Sequence, residues 1–141
     1  MITPTINYFA VIAAVIANQV LGFTWYGPLF GKLWRGLSGI SKKQAAEQKK
    51  KGMKSMGPTF AIAALGSFVM AYVLAHFVDY VEATTIRGAV SLAFWLWLGF
   101  IATILLGSVL WEGKSWKLFA LNATYYLVTL SVMASILAVW V

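Results

Sequence analysis

The chain of 141 residues has no cysteine. That excludes disulfide frameworks, thiolate zinc sites and dithiol redox chemistry. It has one histidine, His76, and four acidic residues, and no His-rich metal pattern, phosphate loop or nucleophile elbow. Charged residues of either sign make up only 11% of the chain, too few to cover a water-soluble domain of this size. Hydrophobic residues make up 61%, so lipid must replace water over much of the surface.

Four apolar runs account for the excess. Thr5–Tyr26 has no ionisable side chain except tyrosine and would measure ~33 Å as a helix. Residues 58–80, 88–111 and 118–140 form three further runs of comparable length. The fold class predicted is therefore all-α: a polytopic membrane protein with four transmembrane helices, in one domain over residues 1–141. A cleaved leader is the alternative for the first run. No basic segment precedes that run and no small-x-small site follows it, which favours a retained span. The short links after spans two and three predict antiparallel neighbours.

The net charge of +7 is a loop property. Lys32, Arg35, Lys42, Lys43, Lys49, Lys50, Lys51 and Lys54 all lie in residues 27–57, Lys114 and Lys117 lie in the third link, and only Arg87 lies in the second. The positive-inside rule then places loops one and three in the cytoplasm and both termini outside. Anionic lipid headgroups fit this distribution better than nucleic acid does; a topology determinant and nothing more is the plainer reading. Within the loop, Gly27-Pro28 is expected to stop the first helix. Leu29, Phe30, Leu33, Trp34 and Leu37 then share one face around Lys32 and Arg35, as in a helix lying in the membrane interface. Ser41-Lys42-Lys43-Gln44 has the form of a capping box opening a polar helix over Ala45–Lys51.

Two segments carry a family resemblance. Gly22-Phe-Thr-Trp-Tyr-Gly-Pro-Leu-Phe-Gly-Lys-Leu-Trp34 and Trp111-Glu-Gly-Lys-Ser-Trp-Lys-Leu-Phe-Ala-Leu-Asn-Ala-Thr-Tyr-Tyr126 resemble the signatures of the DUF1761 family of small bacterial membrane proteins. The resemblance implies a four-helix integral membrane protein in the cytoplasmic (inner) membrane. It brings no catalytic residues and no cofactor.

Helices in lipid associate through small residues and interhelical hydrogen bonds. Ala10, Ala14, Asn18 and Gly22 form such a ridge on the first span, Ala63, Ser67, Ala71 and Ala75 on the second, and Gly99, Thr103 and Gly107 on the third. The fourth presents Asn122, Tyr126, Thr129 and Met133. Counting inward from the cytoplasmic ends puts Asn18, Ser67, Thr103 and Tyr126 at one depth, with Asn122 closer to the cytosol. This layer is either interhelical glue or the floor of a pocket rimmed by Trp25, Tyr26, Trp111 and Glu112. At the outer end, Asn7 and Tyr72 accompany His76 and Asp79, whose spacing lets a carboxylate bond an imidazole. The choice there is between an interfacial hydrogen-bonded pair and a proton-sensitive or metal site; one histidine and one carboxylate are too few to predict a metal. No ionisable group falls near the midplane, which disfavours proton relays and charged-substrate carriers. Trp95 and Trp97 point to different faces of the third span, so at least one should be packed. The expected protein is a non-enzymatic, self-associating binding or scaffold module in contact with anionic lipid. The alternative is binding or permeation of a small neutral or hydrophobic compound through the polar layer.

Overall fold

The computed structural model describes residues 6–38, 43, 44, 47 and 57–140. Four helices are long and apolar enough to cross a membrane: Tyr8–Leu29, Gly57–Tyr80, Ile86–Leu110 and Trp116–Val139. The first comprises α1 (Tyr8–Thr24) and a π-helical turn, Trp25–Leu29. A short α2 (Gly31–Ser38) follows it. The second span is α3 (Gly57–Tyr80). The third is α4 (Ile86–Leu96), a π-helical segment Trp97–Ala102, and α5 (Thr103–Leu110). The fourth is α6 (Trp116–Val139).

Side chains written into the sequence set the helix starts. Asn7 caps α1, its Oδ1 accepting from the N–H groups of Phe9 and Ala10 at 3.0 and 3.3 Å. Thr85 caps α4 through the Gly88 N–H at 3.1 Å, and Ser115 caps α6 through the Leu118 N–H at 3.0 Å. Each satisfies a backbone donor that the first helical turn leaves unpaired. Pro58 sits in the first turn of α3, where its missing N–H costs nothing. The link after α3 turns through Glu82, at φ 57°; the one before α6 turns through Gly113, at φ +68°, a conformation glycine adopts without a steric penalty.

Gly27-Pro28 does not stop the first helix. The chain passes through Pro28 as a π-turn and ends at Leu29, with the Phe30 N–H donating to the Trp25 carbonyl five residues back at 2.9 Å. The wider turn accommodates a residue with no N–H, at which a regular α-turn would lose a bond and clash with the preceding turn.

The four spans do not form an even ring. α6 packs against α1, α3 and α4, whereas α3 and α4 barely touch although only residues 81–85 separate them. The expected antiparallel pairing of spans two and three is therefore replaced by a cleft. Apolar side chains line it, among them Val69, Val73 and Phe77 from α3 and Leu96 and Phe100 from the third span, with Leu130 of α6 at its base; its volume is 320 Å³. The core is alanine-rich: Ala14, Ala71, Ala75, Ala89, Ala93, Ala134 and Ala138 are buried beside Val11, Leu74 and Met133. Small side chains let backbones approach where lipid supplies no hydrophobic drive to association.

The small-residue ridge of the first span faces inward as expected, with Ala10, Ala14 and Asn18 buried. On the second, Ser67, Ala71 and Ala75 are buried but Ala63 is exposed. On the third the expectation fails: Gly99 and Thr103 are exposed, and Ala89 and Ala93 make the contact instead. Trp97 continues that contact, its indole N–H donating to the Ala123 carbonyl at 2.7 Å, while Trp95 faces outward. The π-segment beginning at Trp97 turns the helix surface, carrying Gly99 and Thr103 away from α6.

Trp97→Phe, which keeps the ring and removes the donor, is expected to lower stability to denaturation in mixed SDS micelles by about 0.6–1.7 kcal/mol. Trp95→Phe should be neutral in the same titration. Equal effects would contradict Trp97's role as the anchor of the third span.

Candidate functional site

Asn18 is buried inside the bundle at 9% exposure, and its side-chain amide is fully engaged. One N–H group reaches Thr129 Oγ1 at 2.8 Å and the Tyr125 hydroxyl lies 3.3 Å from the same nitrogen. Its oxygen accepts from the Ser67 hydroxyl. Tyr125 in turn donates to the Asn18 backbone carbonyl at 3.3 Å, and Gln19 Nε2 donates to Ser67 Oγ at 2.5 Å. Thr129 completes the chain on Met133 Sδ at 3.8 Å. One side chain thus ties α1 to α3 and to α6.

The sequence pattern explains why it fits. A Cβ at Gly22 would stand 2.9 Å from the Tyr125 hydroxyl, so glycine one turn after Asn18 opens the space that tyrosine fills. Two turns beyond Asn18 along the first span, Tyr26 donates to Asn122 Oδ1 at 2.6 Å. Around this bond the rings of Tyr26 and Tyr125 meet edge to face at 5.1 Å, and Tyr26 meets Trp34 of α2 at 5.5 Å. Trp25 packs on Phe30 at 4.8 Å and Tyr125 at 6.0 Å. Its indole N–H is buried with no hydrogen-bond partner among the described residues.

The layer predicted from depth counting is therefore partly assembled. Asn18 and Ser67 come together; Thr103 and Tyr126 do not join them. Thr103 is exposed and bonds back to the Gly99 carbonyl at 2.8 Å. Tyr126 packs its ring on Tyr125 at 5.2 Å, and Tyr125 and Thr129 take the inward positions. The predicted rim does not form a wall: Trp111 is 85% exposed and Glu112 is exposed. The third span packs chiefly along α6.

The outer cluster divides in two. Phe68, Tyr72, His76 and Tyr80 form a ladder of rings at four-residue spacing along α3, with Tyr8 of α1 stacked on Tyr72 at 6.5 Å. His76 Nδ1 lies 2.8 Å from the Tyr72 carbonyl, one turn back. Asp79 instead lines a cavity of 730 Å³ between α1, α3 and α6 at the end remote from α2, together with Asn7, Glu82, Thr84 and Trp140. The expected His76–Asp79 pairing is thus absent: the Tyr72 backbone carbonyl takes the imidazole and Asp79 lines the cavity. Glu82, Thr84 and Trp140 escaped the sequence reading because they come from a link and a helix end, where no periodicity marks a shared face.

Of the basic residues, Lys32 and Lys43 are exposed and Arg35 is half-buried. Lys42, Lys49, Lys50, Lys51 and Lys54, and most of the capping box and polar helix expected over residues 41–51, lie outside the described residues. Among those described, no group of three or more His, Asp or Glu side chains could hold a metal ion.

A family model described as "Protein of unknown function (DUF1761)" matches residues 9–138. The chain belongs to the DUF1761 family. The match takes in the Asn18 network, the π-turn at Pro28 and all of α6 except its last residue. No curated protein and no solved structure matches the chain, so this DUF1761 protein has to be read from its own geometry.

A double-mutant cycle between Asn18→Ala and Thr129→Val is expected to give a coupling energy of about 0.6–1.7 kcal/mol in SDS unfolding. The same cycle between Asn18→Ala and Thr103→Val should give none. Coupling to Thr103 would reinstate the four-helix layer that the structure disassembles.

Proposed function

We propose that this DUF1761 protein is a non-enzymatic membrane module that holds anionic lipid at its cytoplasmic face and associates with copies of itself. The carrying observation is α2. It follows the π-turn directly, packs against α6, and meets Tyr26 through Trp34, so an interfacial helix is fixed to the polar core and not left on a loose loop. A Cβ at Gly31 would lie 2.9 Å from the Tyr26 carbonyl, so glycine permits this tight approach. Lys32 is exposed on α2 and Arg35 half-buried, and the lysines of residues 42–54 continue the charge in sequence. The cytoplasmic placement of this face, with both termini outside and the inner membrane as location, rests on the asymmetry of basic residues.

Self-association has its support in the cleft between α3 and the third span, where Gly66 has open space over its Cα atom and an apolar ridge from another copy would fit. Permeation through the polar layer has less support, since the amide of Asn18 is already engaged on both sides. Of the other candidate ligand residues, Tyr26 meets Trp34 of α2 and bonds Asn122, while Trp25 and Tyr126 pack on Tyr125.

Each basic residue near an anionic surface contributes about 1 kcal/mol. Lys32→Gln with Arg35→Gln should therefore reduce the preference of spin-labelled phosphatidylglycerol over phosphatidylcholine by about 5- to 30-fold. High salt should erode the wild-type preference in the same way. An unchanged preference would sink the lipid-holding role. For self-association, Gly66→Cys places a single thiol in a chain that otherwise has none. Oxidation in liposomes should yield a covalent dimer, whereas Thr84→Cys, away from the cleft, should not; monomer alone from both would refute pairing through the cleft.

A further inference from the structure

A second cavity lies at the end of the bundle remote from α2, and the lipid-holding role makes no use of it. Its volume of 730 Å³ lies within the range of about 300–1,000 Å³ typical of small-molecule sites. The walls are aliphatic: Ala10 from α1, Ala75 and Val78 from α3, Leu137 and Ala138 from α6. Two carboxylates, Asp79 and Glu82, stand on the same cavity. They are half of the four acidic residues in a chain of net charge +7, and no lysine, arginine or histidine shares the lining with them.

The backbone adds to this negative field. Leu137 and Ala138 belong to the last turn of α6, where carbonyls lack intrahelical partners and the helix dipole is negative. The opposing dipole is that of α1, but two of its first N–H groups, those of Phe9 and Ala10, are occupied by Asn7 Oδ1. At the end of α3 the carbonyls of Val78 and Asp79 accept from the Ala83 and Glu82 N–H groups, each at 3.0 Å, so the side-chain carboxylates remain to meet a ligand. Trp140 also stands on the lining, and an aromatic face attracts cations.

From this combination we infer that the cavity is a binding site for an organic ammonium ion bearing an apolar substituent. The cationic head would sit between Asp79 and Glu82 near Trp140, and the substituent along the alanine and leucine walls. A divalent metal ion fits less well, because calcium takes six to eight oxygen ligands and magnesium a near-ideal octahedron, and aliphatic walls supply none. A hydrated inorganic ion would leave those walls unused. Free amines and the ammonium headgroups of outer-leaflet lipids share the required chemistry.

The experiment uses the full chain in dodecyl maltoside, a neutral detergent without an ammonium group, and titrates tetrabutylammonium by calorimetry against empty micelles. Saturable binding is expected, weakened at least tenfold by Asp79→Asn with Glu82→Gln and unchanged by Glu112→Gln, whose carboxylate lies at the opposite end. Thr84→Trp, at an exposed position on the lining, should obstruct the cavity without altering its charge and weaken binding as well. Unfolding in SDS, run on each variant, separates lost binding from lost fold. Addition of phosphatidylethanolamine distinguishes the sources: competition assigns the site to a lipid headgroup, and its absence to free amines. Failure of the wild type to bind tetrabutylammonium, equal affinity in the carboxylate variant when folded, or calcium binding in its place would each overturn the proposal. None of these results bears on lipid held at α2.

Discussion

The bundle depends on one amide. In lipid, apolar surfaces gain nothing by leaving their solvent, so a helix needs close backbone approach or hydrogen bonds to prefer another helix. Asn18 alone links α1 by hydrogen bonds to both neighbours, to Ser67 of α3 and to Tyr125 and Thr129 of α6. Its surroundings follow from that need. Alanines above it let the helices approach, Gly22 below it admits the tyrosine ring, and Gln19 supports Ser67 from the side. Polar groups in the membrane often mark a working site; here they are arranged to use up one another's bonds.

The same network makes α2 more than a passing loop. Tyr125 contacts Tyr26, Tyr26 bonds Asn122 and packs on Trp34. A chain of rings therefore runs from the buried amide to the helix carrying Lys32 and Arg35. The π-turn at Pro28 is the joint in that chain, shifting the register so that Tyr26 and α2 both reach α6. The third span stands apart: Trp97 and two alanines hold it to α6, and its remaining faces look outward.

Much of this was legible in the residues. Span number, the inward ridge of α1 and the shared depth of Asn18 and Ser67 all follow from composition and spacing. What failed has a common cause. Counting from a helix end gives height along the membrane but not direction around the helix, so Thr103 was placed at the right kind of depth on the wrong face. Tyr126 was preferred to its neighbour Tyr125, although adjacent helical residues point about 100° apart. A π-turn adds to the difficulty: Pro28 reads as a stop in any local pattern, and Trp97 begins a change of face that no 3.6-residue template anticipates. The cavity at the outer end was legible only as Asn7 and Asp79, because Glu82 and Trp140 reach it through chain reversals.

The position of α6 in the chain has a consequence for assembly. Spans one, two and three precede it, and α3 and α4 barely touch each other. Until α6 enters the bilayer, Asn18 has only Ser67 for a cross-helix partner and the indole of Trp97 has none. α6 is therefore the keystone of the described spans, since it packs against each of the other three.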